Sequence, residues 1–353
     1  MNALEAQLLA RIAADGPISL ADYMAECLLH PVHGYYTTRD PLGAGGDFTT
    51  APEISQMFGE LLGLSLAQAW LDQGAPAPFV LAELGPGRGT LMADLLRATR
   101  GVPGFHAGAR LHLLEASPTL RDRQRAALEG TEIAWIDRLD DLPDLPLLLV
   151  ANEFFDALPI RQFVRAGAAW RERRVGAGGD RLVLGLAGPA PQPALEHRLK
   201  DTRDGDIVEL CPAAPALAQQ IGARIEARGG AALIVDYGDW RSLGDTLQAL
   251  RGHAPADPLQ APGEADLTAH VDFEAIAGAA PCAHARLTPQ GVFLERLGIT
   301  GRAQSLARGL TDMALETHVA AHRRLTHPEE MGRLFKVLGL YPRRAKPPPG
   351  LEP

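Results

Sequence analysis

Two short runs of this sequence combine residue types that can do chemistry. The first is Glu83-Leu-Gly-Pro-Gly-Arg-Gly-Thr90, which follows an apolar run at 79–82. A strand running into Gly85, Gly87 and Gly89, with a helix after them, makes a turn whose backbone a ligand can touch, because no Cβ intervenes. Glu115 ends the next apolar run, where a carboxylate can accept both hydroxyls of a ribose. The glycines are spaced G-x-G-x-G, and Thr90 stands where the dinucleotide fingerprint has its third glycine. Glu83, two positions before the first glycine, would repel a pyrophosphate and attract an ammonium or a sulfonium. The turn is therefore expected to hold S-adenosylmethionine (SAM), with S-adenosylhomocysteine as product. NAD, and with it an oxidoreductase, is the weaker alternative. Asp137, just past a third apolar run, stands where an adenine amino group can be met by a carboxylate.

The second run is Ala151-Asn-Glu-Phe-Phe-Asp-Ala-Leu-Pro159. It follows the apolar residues 147–150, and ligands of an open α/β sheet sit beyond the carboxyl ends of its strands. Asn152, Glu153 and Asp156 are the candidate catalytic groups. A carboxylate here can hold a guanidinium or an ammonium by charge-assisted hydrogen bonds and favour a nitrogen lone pair aimed at a methyl. The remaining polar concentration is His253, Asp266, His270 and Asp272. No H-x-x-x-H helix and no nearby cysteine accompany it, so no metal is expected. These residues are either hydrogen-bonded structural groups or contacts to the substrate. Asp236 and Tyr237 close a fifth apolar run and are expected on the same substrate side.

The elements that must position these groups follow from the pattern of the chain. Leu4, Leu8, Leu9 and Ile12 recur at helical spacing, Ser19 is placed to cap a second helix, and residues 52–70 read as a third. From residue 79 strands alternate with helices: strands at 79–84, 111–114, 132–136 and 147–150, helices at 90–99 and 118–128. That alternation implies a parallel, doubly wound sheet with helices on both faces. Residues 162–166, 169–175 and 181–186 read as antiparallel strands, an insertion. The parallel pattern returns with a helix at 213–227 and a strand at 232–237. Residues 243–262 read as loop, 283–288 and 335–340 as strands, and the tail with Pro347, Pro348 and Pro349 as disordered. The expected organisation is an N-terminal helical lid region (1–78), a Rossmann-like core (79–160 and 205–353) and a β insertion (161–204).

Bulk properties narrow the partners. The 353 residues are 46% hydrophobic and 22% charged, which suits a globular protein with a sizeable core. A net charge of -9 argues against a general nucleic-acid binder, which needs a surplus of Lys and Arg; Lys occurs only at Lys200, Lys336 and Lys346. Cys27, Cys211 and Cys282 are scattered, which suits a reducing compartment. No apolar run approaches the ~20 residues needed to span a bilayer. Residues 1–14 lack the basic and apolar segments of a signal peptide. A cytoplasmic protein is expected.

Four blocks together resemble the MidA-like methyltransferase family, which includes the mitochondrial complex I assembly arginine methyltransferase. They are residues 46–60, the glycine turn, residues 152–159 and residues 266–273; Pro31-Val-His-Gly-Tyr-Tyr36 and Arg251-Gly-His253 add to them. The likeness runs from about Ile18 to Pro342. It implies a class I, Rossmann-like SAM-dependent methyltransferase that acts on an arginine nitrogen of a protein. In a bacterial-type member, as the lack of a transit peptide suggests here, that acceptor is less firmly implied. A SAM-binding assembly factor without essential catalysis is the alternative. The resemblance also implies that residues 46–60 lie over the cofactor, with Asp47, Thr49, Glu53, Gln56 and Glu60 as polar contacts. A loop so rich in polar groups is poor core and a good lid.

Overall fold

The computed structural model describes residues 1–38 and 50–353. Its centre is a mixed sheet built from six main strands: β1 (Phe79–Leu84), β2 (Ala109–Leu114), β3 (Ile133–Ile136), β4 (Leu147–Asn152), β5 (Gly230–Asp239) and β6 (Phe335–Tyr341). Their order across the sheet is β6-β5-β4-β1-β2-β3. All neighbours are parallel except β6, which runs antiparallel to β5. The chain steps outward from β1 to β3, then returns to β4 and steps the other way. That reversal opens a crevice at the carboxyl ends of β1 and β4, which pair Glu83 with Val150 and Leu84 with Ala151.

Each central strand is buried along its length, so its residues alternate between two cores. Phe79, Leu81, Leu148, Val150, Leu233 and Val235 pack on one face. Val80, Ala82, Leu147, Leu149, Ala232 and Ile234 pack on the other. Helices α3 (Gln56–Asp72) and α4 (Thr90–Thr99) cover the first face. They approach closely because α3 carries glycine at the contact: a Cβ on Gly63 would lie 2.7 Å from Leu95. Helix α6 (Ala213–Arg228) covers the second.

At the N-terminus, α1 (Ala3–Asp15) buries Leu4, Leu8 and Ile12, and Ser19 Oγ accepts the Asp22 N–H at the start of α2 (Leu20–Leu29). The expected helix over 52–70 is broken at Ser55, whose φ of -160° and ψ of 135° are extended, leaving a short helix Ala51–Ile54 ahead of α3. The antiparallel insertion forms from Arg161–Ala166, Ala169–Gly178 and Arg181–Leu186. Its sheet reaches beyond residue 204 to Ile207–Leu210 and recruits Ile18–Ser19 from the N-terminus.

Three local expectations are corrected. Residues 243–262 contain a hairpin, Gln248–Arg251 with Ala254–Ala256. Residues 283–288 are not one strand: Ala283–His284 and Thr288–Pro289 are two short strands, each antiparallel to β6. The proline-rich tail is packed: Leu351 is buried and Ser65 Oγ donates to the Pro349 carbonyl at 2.8 Å. Its composition resembles a disordered tail, but an apolar seat beside Phe293 and Gly339 receives it. Helices Gln290–Arg296, Ile299–Ala307 and Asp312–Thr326, which the sequence reading did not place, fill the stretch before β6. Among the described residues, no helix is long and apolar enough to cross a membrane.

Candidate active site

A cleft of about 720 Å³ lies over the carboxyl ends of β1 and β4. On one side stands the glycine turn. Gly85, Gly87 and Gly89 have φ of 63°, 53° and 85°, a backbone region that side chains disfavour. Gly85 and Gly87 line the cleft, and a Cβ on Gly85 would stand 3.0 Å from the Phe154 ring. Gly89 is outside the lining. It instead lets α4 start against α5 (Pro118–Ala127), since a Cβ there would lie 3.3 Å from Gln124 Cα.

Glu83 and Glu115 both line the cleft and both are buried. Burial, and then the neighbouring Glu115, push the Glu83 carboxyl up to about 8. Its Oε2 has no hydrogen-bond partner. Glu115 accepts the Ser117 N–H at 2.8 Å and Gln124 Nε2 at 3.1 Å. The same Gln124 amide donates to the Gly87 carbonyl at 2.7 Å, so one side chain ties the ribose candidate to the glycine turn. No sequence signal marked Gln124. Asp137 lines the cleft from an exposed position and pairs with Arg121 at 2.7 Å.

The proposed lid contacts divide. Asp47 and Thr49 lie outside the described residues. Glu53 lines the cleft and accepts Thr90 Oγ1 at 2.6 Å. Gln56 is exposed on the first turn of α3 and does not line the cleft. Glu60 is corrected too. It is buried between Arg97 and Arg302, each at 2.8 Å, and braces α3 against α4 and the helix Ile299–Ala307.

On the other side stands the turn after β4. Glu153 adopts φ of 50°, a strained position for a non-glycine residue, and strain of this kind collects at functional sites. Its N–H donates to the Val235 carbonyl, and its Oε1 accepts Asn152 Nδ2 and the Ala51 N–H, both at 3.2 Å. Burial, and then Asp156, push its carboxyl up to about 7. Asp156 is pushed up to about 6 by burial, against the Tyr237 hydroxyl that donates to its Oδ2 at 2.5 Å. Asn152 Oδ1 and Asp156 Oδ1 are buried with no hydrogen-bond partner.

The expected substrate-side residues also divide. Tyr237, Asp266 and His270 line the cleft. Asp266 accepts the Tyr36 hydroxyl at 2.8 Å, and His270 meets Tyr237 edge to face. Burial, and then Lys336, hold the His270 imidazole below its usual range. Tyr36 was missed as a site residue, although it lies within the Pro31–Tyr36 motif. Asp236 is fully buried and absent from the lining. His253 stands exposed in the hairpin turn, away from the cleft. Asp272 caps the helix Phe273–Ala279. Among the described residues, no group of three or more His, Cys, Asp or Glu is placed to hold a metal ion.

The sequence profile of a family of S-adenosyl-L-methionine-dependent methyltransferases matches residues 61–292. The chain belongs to the MidA-like methyltransferases. It is 39% identical to the mitochondrial protein arginine methyltransferase NDUFAF7 of Danio rerio, over 94% of this chain and 85% of that one. To the Homo sapiens protein of the same name it is 36% identical, over 95% and 82%. A crystal structure of a Burkholderia thailandensis protein bound to S-adenosylhomocysteine superposes with a TM-score of 0.82 at 31% identity, covering 96% of this chain and 92% of that one. The chain is thus a SAM-dependent methyltransferase with a Rossmann-like fold, and the oxidoreductase alternative falls. The curated relatives are mitochondrial proteins, which overturns the cytoplasmic placement and leaves the bacterial assignment without support.

The residues present fit SAM. The unpartnered Glu83 oxygen suits a cationic ligand, Glu115 suits a diol, and the positive-φ glycines keep side chains out of the space between them.

Proposed function

We propose that the methyl acceptor is an arginine side chain of a protein. The turn after β4 carries this reading. Asn152 Oδ1 and Asp156 Oδ1 are buried acceptors without donors, Glu153 stands between them in sequence, and a guanidinium supplies five N–H groups in a planar fork. The relatives named protein arginine methyltransferase support the same class of acceptor. Glu83, Gly85, Gly87, Glu115 and Asp137 would hold the cofactor, which supplies a methyl group already activated on a sulfonium.

A guanidinium is a poor nucleophile because its lone pairs are delocalised and it stays protonated. Glu153 and Asp156 would draw the positive charge onto the nitrogens they hold, leaving the remaining nitrogen able to attack. As the new N–C bond forms and the S–C bond breaks, that nitrogen must shed a proton. A carboxylate pushed up to about 7, as Glu153 is, suits a base working near neutral pH. Tyr237 keeps Asp156 oriented while this happens. The test is incubation of the enzyme with labelled SAM and hypomethylated mitochondrial protein, followed by mass spectrometry of the labelled product. Methylarginine in the labelled peptide is the expected result. Label confined to lysine, carboxyl or small-molecule acceptors would replace this reading.

A further inference from the structure

Asp236 does not border the cleft, yet more of the acceptor turn hangs on it than on any group that does. Its Oδ2 accepts the N–H groups of Phe155 and Asp156 at 3.0 and 3.2 Å, and its Oδ1 accepts its neighbour Tyr237 N–H at 2.9 Å. The Tyr237 hydroxyl then returns to Asp156 Oδ2. The contacts close a ring: Asp236 to the Asp156 backbone, Asp156 side chain to Tyr237, Tyr237 backbone to Asp236. Residue 235, next in the strand, holds the Glu153 N–H. A carboxyl so deep in the protein is costly unless it has such donors, and a less demanding side chain would suffice to fill the space.

We propose that Asp236 is the positioning residue of the acceptor site, fixing the turn so that Glu153 and Asp156 present their carboxylates to a guanidinium. The inference rests on the guanidinium reading above. Burial, Asp156 and Glu153 hold Asp236 well above the usual carboxylate range, and the repulsion is mutual. The other titratable and charged groups around the turn are Tyr237, His270 and Lys336 beside β5, Tyr36 and Asp266 across the cleft, and Arg324, which favours the ionised Glu153.

The probe is butylguanidinium, titrated by calorimetry into the full chain saturated with S-adenosylhomocysteine, from pH 5.5 to 8.5. Asp236→Asn should bind S-adenosylhomocysteine within about twofold of wild type. Its affinity for butylguanidinium should fall at least tenfold, because an amide cannot accept the Phe155, Asp156 and Tyr237 N–H groups at both of its ends as the carboxyl does. Tyr237→Phe opens the ring at a second point and should lower the affinity in the same direction by about threefold. It decides the matter if Asp236→Asn does not fold. Unchanged butylguanidinium affinity in the folded variant overturns the role of Asp236 and leaves the arginine reading standing. A wild-type protein that ignores butylguanidinium, or binds butylamine equally well, overturns the arginine reading and this inference with it.

Discussion

The two halves of the cleft are built in opposite ways. The proposed cofactor half comes from one continuous strand–turn–helix unit, residues 79–99, with Glu115 at the end of the adjacent strand. The proposed acceptor half is assembled from Tyr36, the turn 152–156, Tyr237 and residues 266–270, four segments that only the sheet and its flanking layers bring together. A local unit tolerates change elsewhere but has no room inside it. An assembled one depends on every segment that frames it. The hydrogen bonding differs too: Glu83 on one side joins no side-chain network, while the other side joins Asp156 to Tyr237 and Asp266 to Tyr36 and still leaves Asn152 Oδ1 and Asp156 Oδ1 without donors.

The largest effect should come from crowding the local half. Gly85→Val places a branched side chain at φ of 63° and 3.0 Å from Phe154, and should weaken SAM binding at least about 100-fold while circular dichroism stays native. Calorimetry showing native affinity in the folded variant would remove the turn from the site. Glu153→Gln attacks the assembled half instead. SAM affinity should stay within about twofold, and turnover of a protein acceptor should fall about 100-fold, because a neutral amide neither polarises a guanidinium nor takes its proton. Turnover at the wild-type rate would move the active carboxylate to Asp156.

Glu83 sharpens the contrast through pH. Its carboxyl, raised to about 8, binds its proton more tightly in the folded protein than in the unfolded chain. Its contribution to stability is therefore present below the ordinary carboxylate range and is lost as pH rises towards 8. A cationic ligand favours the ionised form, so SAM affinity should climb by up to about tenfold per pH unit between pH 6 and 8. Glu83→Gln should flatten that slope, and an unchanged slope would place the titrating group elsewhere. A smaller effect is expected at Glu60, which braces helices rather than ligand. Glu60→Ala should cost about 1–3 kcal/mol of stability in a denaturant melt, since both partner arginines stay partly solvated, and leave SAM affinity unaltered. His253→Ala, on the exposed hairpin turn, should change neither stability nor turnover measurably.

Much of the cofactor half was legible before any fold was known. Continuous apolar runs, the glycines and the acidic strand ends are local properties, and a residue's φ near a glycine turn is set by its immediate neighbours. The break at Ser55 and the packing of the proline-rich tail were not legible, because a side-chain cap and a distant apolar seat decide them.

The acceptor half shows where sequence stops. Glu60, Glu83 and Glu153 are the same residue type; strand ends and glycines singled out Glu83 and Glu153, but nothing beside Glu60 told a brace from a lid contact. Glu60 became a brace because arginines 37 and 242 residues away reach it. Glu83 was left with an unpartnered oxygen because β1 ends inside the crevice. Asp236 and Asp266 likewise acquired their roles from partners 80 and 230 residues away. The strands and the glycine turn could be read from the chain alone, because they depend on backbone freedom and on apolar runs. Which carboxylates are paired, which are stranded and which line the cleft came from the assembled fold, because a buried acid is defined by the groups set around it.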